Sequence, residues 1–235
     1  MSPDELRAQL ESDLAWRLDE LRHLRNNLLG SLSRDDWPAS SMRTILVMQY
    51  AHLEGLTRQA LTIYAEAINA LAPVCSTVHP QLVAAAMRAQ FRSLRAGIHA
   101  DEAADVEGQL MRRAHNETAF VETTRTVLSS TLLVDPEIVT STEGNLSPDL
   151  LRRLLYSFAI PPDQVHETSY RALDFVRRAR HDIAHGVRTE RIEPGLFDAH
   201  RLKSEALMQE VVRLVFLAFS DEWFRVDNGP AAVGA

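Results

Sequence analysis

Leucines recur every three or four residues through the first thirty positions of the chain. They are Leu6, Leu10, Leu14, Leu18, Leu21, Leu24 and Leu28. This spacing places them on one face of an α-helix, because three and four residues each correspond to about one helical turn. Ser2, Pro3 and Glu5 supply an N-cap, a first-turn proline and a capping-box acid. The sequence therefore predicts a long amphipathic helix from Ser2 to about Gly30.

The rest of the chain continues in the same helical pattern. A second long helix is predicted over residues 41–71, stopped by Pro73, and it is apolar round much of its circumference, as a central helix would be. Residues 101–133 are less regular and read as a peripheral helical insertion. Further helices are predicted over residues 80–96, 148–158, 162 or 168 to 185, and 196–224, with loops at 34–40, 135–145 and 188–195.

No alternating β-branched run with a hairpin turn interrupts these helices. The fold class predicted from the sequence is therefore all-α: a single helical domain over residues 1–226, followed by a disordered tail over residues 227–235. The composition, rich in Leu, Ala, Arg and Glu, favours the same conclusion.

The net charge and the cysteine content limit which ligands and which cellular compartment are expected for this chain. The formal net charge is −7, so any contact with nucleic acid must come from a local basic patch. Residues 171–191 supply such a patch, with six arginines against three acidic residues. The single cysteine, Cys75, fits a reducing cytoplasm. The first residues lack the features of a signal peptide, and no apolar run is long enough to predict a membrane helix.

The segment from residue 175 to residue 186 concentrates charged side chains at the end of a predicted helix. It contains three arginines and two histidines, and Gly186 stands where a helix commonly ends at a glycine. Arginine can hold a phosphate, and histidine can move protons near neutral pH. This combination is what phosphodiester chemistry without a metal would need.

Arg180 and His185 would not converge within one straight helix. Five residues correspond to a rotation of about 140° on an ideal α-helix. The two side chains could converge if the helix loosened at Gly186. They could also converge if two copies of the helix met across a two-fold axis, which predicts a composite site in a homodimer.

Residues 180–186, Arg-His-Asp-Ile-Ala-His-Gly, resemble the Arg-x4-His signature of the HEPN superfamily, whose common form reads Arg-Asn-x-Ile-Ala-His-Gly. Residues 13–26 and residues 50–55 resemble one bacterial branch of that superfamily, which is associated with defence and toxin-like loci. The three segments stand in the right order, and the resemblance spans residues 13–186 of the chain.

This resemblance implies an all-helical domain that dimerises and cleaves RNA, with no metal or other cofactor. His185 would act as general acid or base, and Arg180 would neutralise charge on the phosphate in the transition state. Products with a 2′,3′-cyclic phosphate are then expected. Glu54 matches the family's acid on the central helix and would orient Arg180 or Arg58. A toxin or phage-defence effector of this kind would have an antitoxin or another partner protein.

Neighbouring residues complete the predicted site. His181 occupies the position where the family usually has Asn, and Asp182 follows it. Arg177, Arg178 and Arg188 would suit contacts with RNA phosphates. The tyrosine that stands two positions after the histidine in the branch silenced by nucleotidyl transfer is replaced by Val187, so control by that modification is not expected.

Several alternatives compete with the nuclease. His181 and His185 have the spacing of two metal ligands, and His181-Asp182 resembles the pair of HD-type phosphohydrolases. Against a metal, three arginines stand beside the pair and would repel a cation. The chain could also be a non-catalytic module that binds nucleic acid or nucleotide. A further alternative is a helical dimerisation module in which the motif residues have only a structural role. On spacing alone, Glu54 and Arg58 form a structural ion pair.

Overall fold

The computed structural model describes residues 1–88, 90–92, 106–142, 144–187 and 190–228. Within these ranges the secondary structure is helical, and β-pairing is confined to two isolated bridges. The all-α prediction is confirmed. The helices are α1 (Pro3–Leu29), α2 (Ala39–Leu71), α3 (Pro80–Ala86), α4 (Val106–Ser129), α5 (Pro136–Val139), α6 (Pro148–Ser157), α7 (Glu167–Ala184) and α8 (Pro194–Ser220).

Four long helices, α1, α2, α7 and α8, pack together and enclose the core. Helix α2 contacts each of the other three. Its buried side chains therefore point in several directions, as Leu53, Leu56, Tyr64 and Ile68 illustrate. The prediction of a central second helix is confirmed. Truncating one of these leucines to alanine would cost about 2–5 kcal/mol of stability, because a cavity would remain.

The predicted helix starts are explained by local hydrogen bonds. The Ser2 hydroxyl accepts a hydrogen bond from the backbone N–H of Glu5, and the Glu5 carboxylate accepts one from the backbone N–H of Ser2, which completes the capping box. Ser147 likewise caps α6 by accepting from the N–H of Leu150 at 3.1 Å. Each such cap is worth about 1 kcal/mol.

Two helix boundaries differ from the sequence prediction. The helix predicted over residues 80–96 is interrupted by a turn at the buried Met87, which ends α3 at Ala86, and residues 88 and 90–92 are helical again. Residues 93–96 lie outside the described residues, as do residues 229–235 of the predicted tail. Helix α8 begins two residues early, because Pro194 occupies its first position and the Glu193 carboxylate accepts from the N–H groups of Gly195 and Leu196.

Helix α4 lies at the periphery, as predicted for residues 101–133, of which 101–105 lie outside the described residues. Most of its described side chains are exposed. Where the chain leaves it, the carbonyl of Ser130 accepts from the N–H of Cys75, and the N–H of Leu132 donates to the carbonyl of Pro73. None of the helices in the described ranges is long and apolar enough to cross a membrane.

Helices α1 and α2 approach closely around a glycine. Arg17 pairs with Asp13 at 2.9 Å, and its guanidinium lies 4.5 Å from the centre of the Trp16 ring. A Cβ atom on Gly55 of α2 would stand 2.7 Å from the Arg17 guanidinium. Gly55 therefore leaves room for this arginine between the two helices. Residues 13–26 and 50–55, which resemble the same family, meet at this contact.

Stability should fall as the solution becomes mildly acidic. Burial lowers the pKa of His52 and of His200 below the ordinary value of 6.5, although the charge of Glu20 opposes the effect at His52. Each lowered pKa means that the folded protein favours the neutral imidazole and the unfolded chain binds the proton more readily. This contribution to stability is therefore present above pH 6.5 and is lost as the pH falls below it.

Urea unfolding between about pH 7.5 and pH 5.5 measures this dependence. The double variant His52→Gln/His200→Gln should show a flatter dependence of the unfolding free energy on pH than the wild type. Equal slopes for the two proteins would contradict the role assigned to these imidazoles.

Candidate functional site

Helix α7 ends in a glycine turn that fixes where the histidines stand. Gly186 has φ of +69°, in the left-handed region. The N–H of Val187 donates to the carbonyl of Asp182 at 2.9 Å, and the N–H of Gly186 donates to that of Ile183 at 3.1 Å. These two bonds define a Schellman motif, which satisfies carbonyls left free at a helix end. The helix end predicted at Gly186 is confirmed.

His181 and His185 form an exposed pair. Their rings are 4.3 Å apart between centroids. The N–H of His185 still donates to the carbonyl of His181 at 3.1 Å, so His185 keeps its helical position one turn after His181. Both imidazoles are therefore accessible on the same side of the end of α7.

Arg180 lies in different surroundings. Its guanidinium carbon is 5.6 Å from the centre of the Tyr50 ring on α2. Tyr50 is buried, and its hydroxyl is 3.5 Å from the carbonyl oxygen of Leu146. A cation over an aromatic face gains about 0.5–2 kcal/mol, depending on how far it is desolvated. The contact therefore anchors Arg180 to the central helix.

Four residues, Tyr50, Glu54, Arg177 and Arg180, form what we term the Tyr50 cluster. Burial and the negative charge of Glu54 together raise the pKa of Tyr50 to about 12, against the opposing effect of the positive charges of Arg180 and Arg177. All three charges therefore act on the tyrosine hydroxyl. Tyr50 lies in a segment that resembles the family, but sequence reasoning did not select it as a site residue.

The partners predicted for Glu54 are not in contact with it. Within the described residues, no ion pair joins Glu54 to Arg58, which is exposed, or to Arg180. One carboxylate oxygen of Glu54 is buried without a hydrogen-bond partner, and so is the Nε of Arg177. The cluster thus holds a buried acceptor and a buried donor that have no partner within the described residues.

The arginines predicted to bind phosphates lie on α7 beside an acid. Arg177 and Arg178 contact the two carboxylate oxygens of Asp174 at 2.9 and 2.8 Å. Partial burial raises the pKa of Asp174, but the hydrogen bonds from these arginines outweigh it, so that the pKa is lowered. Arg188 lies outside the described residues.

A groove of about 420 Å³ runs between α6 and α7. Arg152 crosses it, with its guanidinium 3.9 Å from the centre of the Tyr170 ring and 3.1 Å from the Glu167 carboxylate. Arg177 and Arg178 line the same groove. Sequence reasoning missed Arg152 and Tyr170, because no motif marks them and only packing brings α6 beside α7.

One route to convergence predicted for Arg180 and His185 is not realised. The chain leaves the helical path only after His185, so the turn at Gly186 does not rotate the imidazole towards the arginine. No contact between the two side chains is found in the described part of the chain. The second route, in which two copies of α7 approach each other, stays a prediction.

The alternative metal site has two candidate ligands, His181 and His185. Among the described residues, no group of three or more His, Cys, Asp or Glu side chains is arranged to hold a metal ion. Asp182, between the two histidines, is partly buried, and its carbonyl accepts the turn hydrogen bond from Val187.

Comparison with known families gives one match. A family model described as HEPN_MAE_28990-like HEPN matches residues 6–219. The matched range includes the Tyr50 cluster and the histidine pair, and it extends over all four helices of the core. Neither the curated proteins nor the solved structures gave a match.

Replacing Gly186 with alanine should destabilise the protein. The φ of +69° costs an L-residue with a Cβ atom about 1 kcal/mol, whereas nothing lies within 4 Å of the Cβ position. Gly186→Ala should therefore lower the free energy of unfolding in urea by about 1 kcal/mol. Gly186→Asn is the matched control, because asparagine tolerates the left-handed region better. Equal stability of the alanine variant and the wild type would refute this account of the turn.

Proposed function

The chain belongs to the MAE_28990-like HEPN family, and on that premise we propose that it is a metal-independent endoribonuclease that acts as a homodimer. Membership supports an RNase-like or nucleotide-binding module. The observation that carries the proposal is the contrast at the end of α7, where Arg180 is anchored on Tyr50 and His185 is exposed. A fixed cation and an accessible imidazole are the two groups that RNA cleavage without a metal requires.

In the proposed reaction, His185 removes the proton from a ribose 2′-hydroxyl. The 2′-oxygen then attacks the adjacent phosphorus, and the bond from phosphorus to the 5′-oxygen breaks. The imidazolium of the same His185 then returns the proton to that oxygen through a water molecule. Arg180 neutralises the charge that accumulates on the non-bridging phosphate oxygens. The products carry a 2′,3′-cyclic phosphate and a 5′-hydroxyl.

Glu54 serves the proposed site as a positioning residue. Its negative charge and the positive charges of Arg177 and Arg180 all act on Tyr50. A carboxylate fixes the orientation of a guanidinium group when the two form a charge-assisted hydrogen bond. We therefore assign Glu54 to holding the phosphate-binding arginines in place. Arg58 is exposed on α2 and stays a supporting candidate.

The proposed dimer places Arg180 of one copy opposite His185 of the partner subunit. Within a single chain the helical path keeps these side chains on different sides of α7. A two-fold axis near the end of α7 would bring both sides into one cleft, because an isologous interface repeats every contact. His181 and Asp182 stand between Arg180 and His185 in the sequence, so they would then lie at or near that interface.

The biological role we propose is that of a toxin or phage-defence effector in the cytoplasm. The support is the resemblance of residues 13–26, 50–55 and 180–186 to a branch associated with such loci, together with membership of the HEPN family. An enzyme that cleaves cellular RNA needs restraint, so we also propose an antitoxin or another partner protein that controls it.

The purified protein should cleave transfer RNA in excess EDTA and leave cyclic-phosphate ends. His185→Ala and Arg180→Ala should each reduce the rate by a factor of about 100 or more, because a general acid–base group and a group that stabilises developing charge each typically contribute that much. His23→Ala, which removes an exposed imidazole on α1, is the matched control and should cleave normally. Gel analysis with end-group mapping provides the measurement.

Two other outcomes of this assay would favour the rivals. Cleavage that EDTA abolishes would support a metal on His181 and His185. RNA binding without cleavage under any condition would support the non-catalytic binding module.

Mixing two inactive variants tests the composite site. Dimers of Arg180→Ala with His185→Ala contain one cleft with both wild-type groups if Arg180 works with His185 of the partner subunit. After subunit exchange, about one quarter of the wild-type activity should therefore return, since half of the dimers are mixed and each has one intact cleft. No recovery, although mass spectrometry detects mixed dimers, would refute pairing between subunits. A monomer that cleaves RNA would refute the dimer itself.

A further inference from the structure

A second cavity, of about 520 Å³, lies between α3 and α6. Three arginines line it: Arg88 and Arg92 follow α3, and Arg153 belongs to α6. None of the described residues that line this cavity is acidic. In a chain with a formal net charge of −7, such a concentration of positive charge is a local feature of the fold.

The three guanidinium groups are close enough to affect one another. Burial lowers the pKa of Arg88, and the positive charges of Arg153 and Arg92 lower it further. Arg92 and Arg153 bring further positive charge to the opening of this cavity, where it attracts an anion. Arg92 and Arg153 are exposed, so a ligand from solution can reach them.

Aromatic rings stand beside the arginines. Tyr156 lines the cavity and is 58% exposed, so its ring is accessible from solution. Phe91 lines it too, and its ring is 5.4 Å from that of Phe120 on α4. A basic cavity with an accessible aromatic ring suits a single-stranded nucleic acid, whose phosphates pair with arginine and whose unstacked bases stack on the ring.

Helix α6 connects this cavity with the groove beside α7. Arg153 lines the cavity, and the preceding residue, Arg152, lines the groove together with Arg177 and Arg178. Neighbouring residues of an α-helix point about 100° apart, so one turn of α6 presents Arg152 to the groove and Arg153 to the cavity, and an extended strand that crosses this turn could contact both.

We propose that the cavity between α3 and α6 holds a phosphate of single-stranded RNA, with a neighbouring base stacked on Tyr156. The strand is the one whose cleavage is proposed at Arg180 and His185, so the identity of the ligand rests on the proposed function. The cavity is a substrate-binding site away from the reacting atoms, and it would orient the strand across α6 towards α7.

Binding is measured on the His185→Ala protein, which is not expected to cleave its ligand. The probe is a fluorescein-labelled single-stranded RNA of mixed sequence, followed by anisotropy at several salt concentrations. Adding Arg92→Gln and Arg153→Gln together should weaken binding at least tenfold. The slope of log K against log salt should flatten by about 0.7, since the cavity holds one phosphate and each single-strand phosphate that is no longer neutralised removes about 0.7. Arg213→Gln, on the exposed face of α8, is the matched control.

A third variant separates stacking from charge. Tyr156→Ala should weaken binding several-fold while leaving the salt slope unchanged, because stacking releases no counterions. Affinity and slope equal to those of the Arg213→Gln control in the double variant would overturn the proposal.

The outcome also distinguishes this inference from the proposed function. If the wild type cleaves RNA but the double variant binds as the control does, the cavity proposal fails and the nuclease stands. If the wild type never cleaves but the double variant loses binding, the cavity proposal stands and the nuclease fails.

Discussion

The burial of α2 round most of its circumference constrains how the rest of the protein can pack. Because α1, α7 and α8 all contact it, several polar side chains of α2 lie between helices rather than in water. Gln49 is fully buried, and neither polar atom of its side chain has a partner within the described residues; one oxygen of Glu54 shares this state. Each such group costs on the order of 1–3 kcal/mol. These buried polar groups without partners lie within two turns of Tyr50 on α2. Groups that break a local rule in this way concentrate at functional sites.

The site has two parts with opposite physical characters. At the Tyr50 cluster, Arg180 is held by an aromatic ring on a buried helix, so its position follows from the core. At the end of α7, His185 is exposed, and only the glycine turn after it limits the path of the chain. Rigid placement suits a group that neutralises a phosphate, while exposure suits a group that exchanges protons. The proposed dimer is the arrangement that would let these two parts act on one phosphodiester.

Local rules predicted most of the helices. The leucine spacing, the capping box at Ser2 and the glycine at the end of α7 all act within a few residues, and each is confirmed. The predictions missed two helix boundaries, one at a residue that packs in the core and one at a local cap. Residues 80–96 have no local signal for the turn at Met87, whose side chain enters the core. Pro194 is compatible with a loop and with the first turn of a helix. The hydrogen bonds that the Glu193 carboxylate accepts stabilise the helical start.

The sequence by itself determined the helical fold class, the family and the residues that carry its motif, since periodicity, caps and motif spacing are properties of neighbouring positions. Only the tertiary structure placed Arg180 on Tyr50 and brought the charges of Glu54 and Arg177 to bear on that tyrosine. It also brought three arginines to the lining of one cavity, namely Arg88, Arg92 and Arg153. These residues come from helices far apart in the chain. Which of their faces meet depends on how the apolar surfaces of all the long helices are buried at once, and no single segment encodes that result.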